Sequence, residues 1–362
     1  MSETIMTEEL MEAAILGGAV LGGGGGGSMK KGRLNGKEAL SLGTLRLVDI
    51  DDVPPNATLI TASAVGAPAA TEAQVSPKDY VRTIELLSEN GCPEAEGFIP
   101  NECGGSSITN GWVPAAQLNL PVVDALCNGR AHPTGTMGSM GLHKDPKYVS
   151  RQAAAGGNPS KGLHLELYAA GKLDIVAPLI RAAADRAGGL VAVARNPVEA
   201  SYAKKYGAPG ALRQAIALGQ VMKRKMTEKS PQAAVEAAAE FLDGQVITRA
   251  PVAELELITR GGFDSGRIVV GDFETAFWNE FMTLEQRDER LGTFPDLVMT
   301  FDASSGLPVT TAELKKGQEV YLLLVPASRL ILGEGMRCKD LLETIEPIIG
   351  KKILEYTNLQ ER

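Results

Sequence analysis

One short segment, residues 121–143, holds several side chains that could carry out chemistry. It contains Cys127, His132 and His143, and so two of the three histidines in the 362 residues of the chain. An apolar run, 121–126, leads directly into a stretch rich in glycine, proline and methionine, which predicts a buried strand followed by a loop. Open α/β sheets place their sites in loops at the carboxyl ends of strands. We therefore predict that this loop forms the active site.

The three side chains are of the types that bind zinc. Thiolate and imidazole are preferred zinc ligands. The five residues from Cys127 to His132 span at most about 17 Å, so a turn at Asn128-Gly129 brings both to one ion. The spacing predicts a zinc site made of Cys127, His132 and His143. Because it matches no named zinc motif, two alternatives stay open: a buried cysteine with two histidines that cap loops, or Cys127 as a nucleophile with His132 as its base.

A carboxylate follows the next apolar segment upstream. Glu102 and Cys103 come directly after residues 97–100. Because the ends of neighbouring strands converge, we expect Glu102 to face the Cys127 loop, where a carboxylate can move protons. The alternative is a helix N-cap, but Ser106 and Ser107 already offer caps there.

Substrate-binding candidates lie in three places. Arg130 could hold a carboxylate with its bidentate guanidinium, and Arg195 and Asn196 follow the apolar segment 190–194. Gly24 and Gly25 belong to a run of six glycines, 22–27, whose amides could bind a carboxylate or ring carbonyl. That run follows a helix and lacks the lysine of a phosphate-binding loop, so no nucleotide is expected. The alternatives are a salt bridge or turn for the polar residues and a flexible connector for the glycines.

Short apolar segments that alternate with helical patterns must position these residues. The predicted helices of the first part cover residues 8–21 and 77–89, and its predicted strands cover 45–50, 58–65, 97–100 and 121–126. This alternation predicts an N-terminal parallel, doubly wound α/β domain over residues 1–160, which carries the site loops. After the linker-like segment 156–162, a mixed α+β, β-rich domain is predicted over 161–362, with most strands beyond residue 245.

Composition excludes several partners. The net charge is −8, aromatic residues make up 5%, and there is no basic stripe, so nucleic-acid binding is not expected. Four scattered cysteines do not predict a disulfide framework. The apolar run 13–21 is too short to cross a bilayer and follows acidic residues, unlike a secretory signal. We expect a cytoplasmic homo-oligomer with no membrane partner.

Over its whole length the chain resembles the S-methyl-thiohydantoin desulfurase-like family. The resemblance rests on the ordered segments LGGGGGGS, VGAP, IPNECGG, PVVDALCNGRAHP, GGLVAVARNPV, YGAPGALRQAIALG, TRGGFDSGRIVVG, FWNEFM and TFPDLVMTFDASSGLPVTTAELKKGQEV. It implies two domains and chemistry on five-membered hydantoin-like rings, including exchange of a thiocarbonyl sulfur for oxygen, as in ergothioneine breakdown. Many members carry Phe-Pro-Glu where this chain has His132-Pro133-Thr134. That departure implies a subgroup with its own thiolate–imidazole site.

With such a substrate, the predicted zinc would lower the pKa of a bound water to about 7. Hydroxide would add to ring carbon C2, Glu102 would move the proton, and sulfide would leave. Arg130 or the glycine loop would hold a substrate carboxylate. Three alternatives stay open: a metal-free reaction through Cys127, ring-opening hydrolysis of a hydantoin or lactam, and a non-catalytic ring-binding accessory subunit.

Overall fold

The computed structural model describes residues 3–67, 69–228, 230–287 and 289–357. The first elements are β1 (Thr4–Ile5), α1 (Glu8–Leu21), α2 (Met29–Leu42), β2 (Arg46–Asp49), β3 (Thr58–Gly66), α3 (Pro77–Glu89), β4 (Gly97–Pro100), α4 (Trp112–Leu118), β5 (Val122–Leu126), β6 (Ser150–Gly156), β7 (Leu165–Gly171), α5 (Leu173–Arg186), β8 (Leu190–Glu199), α6 (Ala200–Tyr206), β9 (Ala208–Pro209), α7 (Ala211–Glu228) and α8 (Pro231–Phe241). The later elements are β10 (Gln245–Arg260), β11 (Phe263–Val270), β12 (Phe273–Trp278), β13 (Glu280–Phe281), β14 (Thr283–Gln286), β15 (Glu289–Thr293), β16 (Leu297–Asp302), β17 (Pro308–Val309), β18 (Glu319–Val325), α9 (Lys339–Glu343) and α10 (Glu346–Ile349).

The first sheet has the order β1-β2-β5-β4-β3-β8-β6-β7, and β9 pairs with β5. Strands β2, β5, β4 and β3 are parallel, whereas β8, β6 and β7 run antiparallel to their neighbours. The α/β class is confirmed, in a mixed sheet whose parallel part is limited to four strands. The alanine-rich β6 escaped sequence prediction because short apolar runs of this composition are equally typical of helices.

The segment 156–162, which has the composition of a linker, lies in the turn that joins β6 to β7 in an antiparallel hairpin. Gly157 has a φ of +100°, which glycine adopts readily. Turn and linker compositions coincide, so the two are indistinguishable in the sequence alone. Strands β7 and β8 lie beyond residue 160 and still belong to the first sheet. The division of the chain at residue 160 stays a prediction.

The second sheet has the order β15-β14-β12-β11-β10-β18-β16-β17, with β13 paired to β12. Its pairs are antiparallel. This agrees with the predicted β-rich second part. No helix in the described ranges is both long and apolar enough to cross a bilayer.

Helix α1 lies in the core and packs closely against α7. A Cβ on Gly17 would lie 1.9 Å from the carbonyl oxygen of Ala215, and one on Gly219 would lie 1.9 Å from that of Ala13. Glycine therefore lets the two backbones approach. The close packing holds the end of α1, and thus the glycine loop that follows it, against the second sheet: Phe281 donates its backbone N–H to the Gly23 carbonyl at 2.9 Å.

Candidate functional site

A cavity of about 400 Å³ opens where the carboxyl ends of β3 and β4 face the second sheet. Its polar lining includes Asn101, Glu102, His132, Arg181, Arg195 and Glu280. Residues that are far apart in sequence therefore face one space, and three of the predicted site residues, Glu102, His132 and Arg195, are among them.

Glu102 lies beside the Cys127 loop, as its place after β4 predicts. An isolated parallel bridge joins Glu102 to Asn128. The backbone N–H of Asn128 also donates to the Asn101 carbonyl at 3.1 Å. These contacts continue the strand pairing past β4 and β5, so the loops after the two strands stay together at one sheet edge.

The Glu102 carboxyl and the His132 imidazole form a buried pair. Oε2 of Glu102 lies 3.2 Å from Nε2 of His132. The same oxygen accepts hydrogen bonds from the His132 backbone N–H and from Nδ2 of Asn101, both at 3.2 Å. Burial raises the pKa of Glu102 to about 7, although the His132 N–H and the Arg195 charge oppose that shift.

The hydrogen-bond partners determine the protonation of His132. Its Nδ1 lies 2.9 Å from the Thr134 carbonyl oxygen, which can only accept, so Nδ1 carries the proton. Nε2 is then an acceptor, and Asn101 donates to it through Nδ2 at 3.0 Å. Burial and the charge of Arg195 lower the pKa of His132 to about 3, so the ring is neutral. A neutral Nε2 facing a carboxyl oxygen favours a proton on Glu102.

Two arginines, the buried Arg195 and the half-buried Arg181, form a positive wall of the cavity. Arg195 donates through Nη2 to Oδ1 of Asn101 at 2.5 Å, and its Nε has no hydrogen-bond partner among the described residues. Arg181 donates to the carbonyls of Gly66 at 2.9 Å and Pro133 at 2.8 Å. Burial lowers the pKa of Arg181 to about 10, which leaves it charged at neutral pH. Sequence reasoning missed Arg181 for two reasons. The residue lies in the alanine-rich helix α5, and it is 48 residues away in the sequence from Pro133, which it contacts.

Glu280 brings a second buried carboxyl to the cavity from the other sheet. Its Oε2 is buried and has no hydrogen-bond partner in the described parts of the chain. Burial and the nearby Glu102 raise the pKa of Glu280 well above its usual range. Sequence reasoning did not select Glu280, although it lies in FWNEFM, one of the segments that carry the family resemblance.

The glycine loop does not form the predicted substrate nest at Gly24 and Gly25. The Gly24 carbonyl accepts from the Thr311 N–H at 2.8 Å, and its own N–H lies 3.1 Å from Sδ of Met299. A Cβ on Gly25 would lie 2.0 Å from Oε1 of Glu280. These glycines therefore serve close packing against the second sheet, and it is the next two residues, 26 and 27, that line the cavity.

Cys127 lies outside the cavity, in the hydrophobic core. Its Sγ contacts Oγ1 of Thr61 at 3.4 Å, and its side chain packs in the cluster that contains Met140. Burial raises the pKa of the Cys127 thiol to about 11. A neutral, buried thiol is neither a nucleophile nor a ready metal ligand. The structure therefore does not support the prediction that Cys127 acts at the site, since its side chain points into the core.

The three predicted zinc ligands do not meet. Two short 3₁₀ turns, Met137–Ser139 and Leu142–Lys144, carry His143 away from the cavity. His143 instead contacts Asp340, with Nε2 3.1 Å from Oδ2. Within the residues described, the metal-compatible group is His143, Cys338 and Asp340, whose ligand atoms lie within 4.8 Å of one another. The zinc site predicted at Cys127, His132 and His143 is therefore not formed by these side chains, because the two turns between His132 and His143 separate the histidines.

Arg130 and Asn196, which were predicted to bind substrate, instead contact other residues of the protein. Arg130 is buried, donates to the carbonyls of Pro295, at 2.9 Å, and of Asp296, and stacks 4.5 Å above the Phe294 ring. Asn196 accepts from Oγ of Ser150 at 2.8 Å. Neither lines the cavity, so the predicted contacts with substrate are not supported for these two.

Comparison with known proteins assigns the family. Residues 9–160 match the S-Me-THD-like N-terminal domain, and residues 172–341 match the S-Me-THD-like C-terminal domain. The chain therefore belongs to the S-methyl-thiohydantoin desulfurase-like family, as the sequence motifs indicated. No curated protein matches the sequence. A crystal structure of a protein from Chromobacterium violaceum matches 100% of this chain and 99% of its own with a TM-score of 0.70 at 17% identity, which shows a shared fold.

Proposed function

We propose that this protein is a hydrolytic desulfurase of 2-thiohydantoin-type rings, with Glu102 as the general base. The observation that carries the proposal is the buried Glu102 carboxyl, which faces the cavity with a pKa near 7 against a neutral His132. Such a group takes and returns a proton at neutral pH, which is what exchange of sulfur for a water oxygen requires. The family assignment supports the substrate class.

The cavity suits a small ring with an acidic substituent. Its volume of about 400 Å³ is within the usual range for small-molecule sites. Arg181 and Arg195 supply positive charge where a substrate carboxylate would bind or where charge would develop on sulfur. Buried guanidinium groups act more strongly than exposed ones because water does not screen them.

The proposed reaction begins when Glu102 removes a proton from a water molecule. The water oxygen bonds to C2 of the ring, and the electrons of the C=S double bond move to sulfur, whose charge Arg195 stabilises. Glu102 returns the proton to sulfur, the C–S bond breaks, and HS⁻ leaves. The C2 hydroxyl loses its remaining proton to the vacated carboxylate, which yields the ring carbonyl, and Glu102 then passes this proton to the departing HS⁻ or to solvent, which restores the base. The His132 backbone N–H keeps the Glu102 oxygen in place, and the unprotonated Nε2 accepts a hydrogen bond from the carboxyl when Glu102 carries the proton.

This proposal uses neither a Cys127 nucleophile nor a metal at Cys127, His132 and His143. The first is set aside because the thiol lies in the core, and the second because these three side chains do not converge. A cytoplasmic location and assembly into homo-oligomers remain predictions.

The test is to incubate the purified chain with 2-thiohydantoins that do or do not carry a carboxylate side chain. We expect release of sulfide in equal amount to the loss of thiocarbonyl absorbance, with the hydantoin as the product. Ring opening without sulfide would instead identify a hydantoin or lactam hydrolase. Binding of the ring with no turnover would identify an accessory binding protein. Either outcome overturns the proposal.

A further inference from the structure

A C-terminal segment, residues 331–340, braces the loop that carries His132. The backbone N–H of Gly129 donates to the Ile331 carbonyl at 3.0 Å. A Cβ on Gly335 would lie 1.8 Å from the Met137 carbonyl oxygen. Segment and loop are thus in backbone contact at several points. The group His143, Cys338 and Asp340 lies where the last part of this loop meets the segment.

These three side chains offer one nitrogen, one sulfur and one oxygen. Their ligand atoms lie within 4.8 Å of one another. In a tetrahedral zinc site, bonds of about 2.0–2.3 Å place ligand atoms about 3.6 Å apart. Small side-chain rotations are therefore enough to bring the three donors onto one ion. Asp340 is 60% exposed, which leaves a path from solvent and an open fourth position.

Two buried atoms around the group lack hydrogen bonds. Nδ1 of His143 has no partner among the described residues, and the His143 side chain is only 6% exposed. The Oε2 atom of Glu334 is likewise buried and unpartnered there. Buried polar atoms of this kind are uncommon and call for a ligand, a water or an ion. The Glu334 carboxylate also adds negative charge beside the group.

We propose that His143, Cys338 and Asp340 bind one zinc ion, which fastens the C-terminal segment to the site loop. The mixed sulfur, nitrogen and oxygen donor set favours zinc over magnesium or calcium, which prefer oxygen alone. Binding replaces the thiol proton with the metal: the Cys338 S–H bond breaks, the sulfur–zinc bond forms, and one proton goes to solvent. The three residues do not line the cavity, so this proposal is independent of the proposed function.

Lys144 is the charged group that zinc must displace. It interacts with Cys338 and lies 3.3 Å from Oε1 of Glu334. Its side chain is 40% exposed, so the ammonium can turn to solvent while the thiolate turns to the metal. The thiol donates to the Glu334 carbonyl at 3.3 Å, and that weak bond is readily given up when zinc binds.

The experiment is a titration of the full, metal-stripped chain with cobalt, a spectroscopic substitute for zinc, followed by zinc competition against a coloured chelator. We expect a thiolate-to-cobalt charge-transfer band that one equivalent of zinc removes. Cys338→Ser should abolish the band, and His143→Ala should weaken zinc binding by at least about 100-fold, more than a change outside the ligand set. His164→Ala is the matched control, because His164 pairs with Asp79 at 3.2 Å and is not one of the three proposed ligands.

Thiol labelling provides a readout that does not depend on a folded variant. In the unaltered chain, zinc should protect Cys338 from iodoacetamide in partly denaturing conditions, and peptide mapping should show no such protection at Cys92. Absence of the cobalt band in the unaltered chain would overturn the proposal. So would a band that persists in Cys338→Ser, or protection that does not fall on Cys338.

Discussion

Oε2 of Glu102 lies 3.2 Å from Nε2 of His132, and the nitrogen is the unprotonated one. Two acceptors at this distance are stable when a proton lies between them. Because burial raises the pKa of the Glu102 carboxyl to about 7, at neutral pH this proton is present in one part of the molecules and absent in the rest, beside a histidine that stays neutral. The proposed catalysis depends on this relationship.

Replacement of Glu102 by glutamine tests the base directly. Glu102→Gln preserves the size of the side chain but cannot take a proton, so kcat for sulfide release should fall by about 10²–10⁴-fold. Binding of the hydantoin product, measured by calorimetry, should change little. Glu38→Gln, at an exposed position on α2, is the control and should retain full activity. Unchanged turnover in Glu102→Gln would exclude the base.

The pH dependence of activity should follow the ionisation of Glu102. The base must be unprotonated, and its pKa is about 7. We therefore expect kcat/KM to rise about tenfold per pH unit below 7 and to level off above it. His132 adds no acid limb in this range, because its pKa is lowered to about 3. A profile that is flat from pH 5 to pH 8 would contradict this assignment.

The free energy of unfolding should show the opposite pH dependence to activity, because of the same residue, Glu102. The folded-state pKa of Glu102 lies above its unfolded value of about 4.3. Between those two values the folded protein binds more protons than the unfolded chain, so its free energy of unfolding falls as pH rises. Glu102→Gln removes this term. Urea denaturation at pH 5 and pH 8 should therefore show a smaller pH-dependent loss in the variant than in the unaltered chain.

Cys127→Ala should separate the core role of this residue from the predicted catalytic one. Removing the sulfur leaves a small cavity, and the free energy of unfolding should fall by about 1 kcal/mol. Sulfide release at a temperature where the variant is folded should stay near the unaltered rate, because the thiol does not reach the cavity. A rate loss comparable to that of Glu102→Gln would restore the nucleophile.

Gly25→Ala should disturb the site through Glu280. The added Cβ would lie 2.0 Å from Oε1 of Glu280, so the carboxyl or the loop must move. We expect a higher KM and a lower Tm. The comparison is Gly91→Ala, where a Cβ meets nothing within 4 Å and only the φ of +71° is strained. If the two variants behave alike, close packing at Glu280 is not what residue 25 provides.

Sequence reasoning correctly predicted that Glu102 lies beside the loop after β5, at one edge of the first sheet. Glu102 and the loop after β5 are adjacent because parallel strands pair along their length, and that pairing can be inferred from the alternation of apolar and helical segments. The helix predicted over residues 77–89 is α3, whose N-terminal end is set locally by Ser76, Pro77 and Asp79 in a capping box.

The direction of side chains beyond a strand could not be inferred in this way. Cys127 and His132 are five residues apart, yet one points into the core and the other into the cavity. The path of the loop to His143 depends on two 3₁₀ turns that are stabilised by contacts with residues 333–340. Spacing along the chain sets only an upper limit on distance, so it could not show that the three candidate ligands diverge.

The amino-acid sequence by itself determined the family, the α/β class and the sheet edge at which the cavity lies, because these follow from local motifs and from the period of apolar residues. Only the tertiary structure decided that Arg181 and Glu280 face Glu102, and that His143 joins Cys338 and Asp340. Those partners come from distant helices, strands and the C-terminal segment. They meet because tertiary packing brings elements that are distant in the sequence together, and no local pattern encodes that meeting.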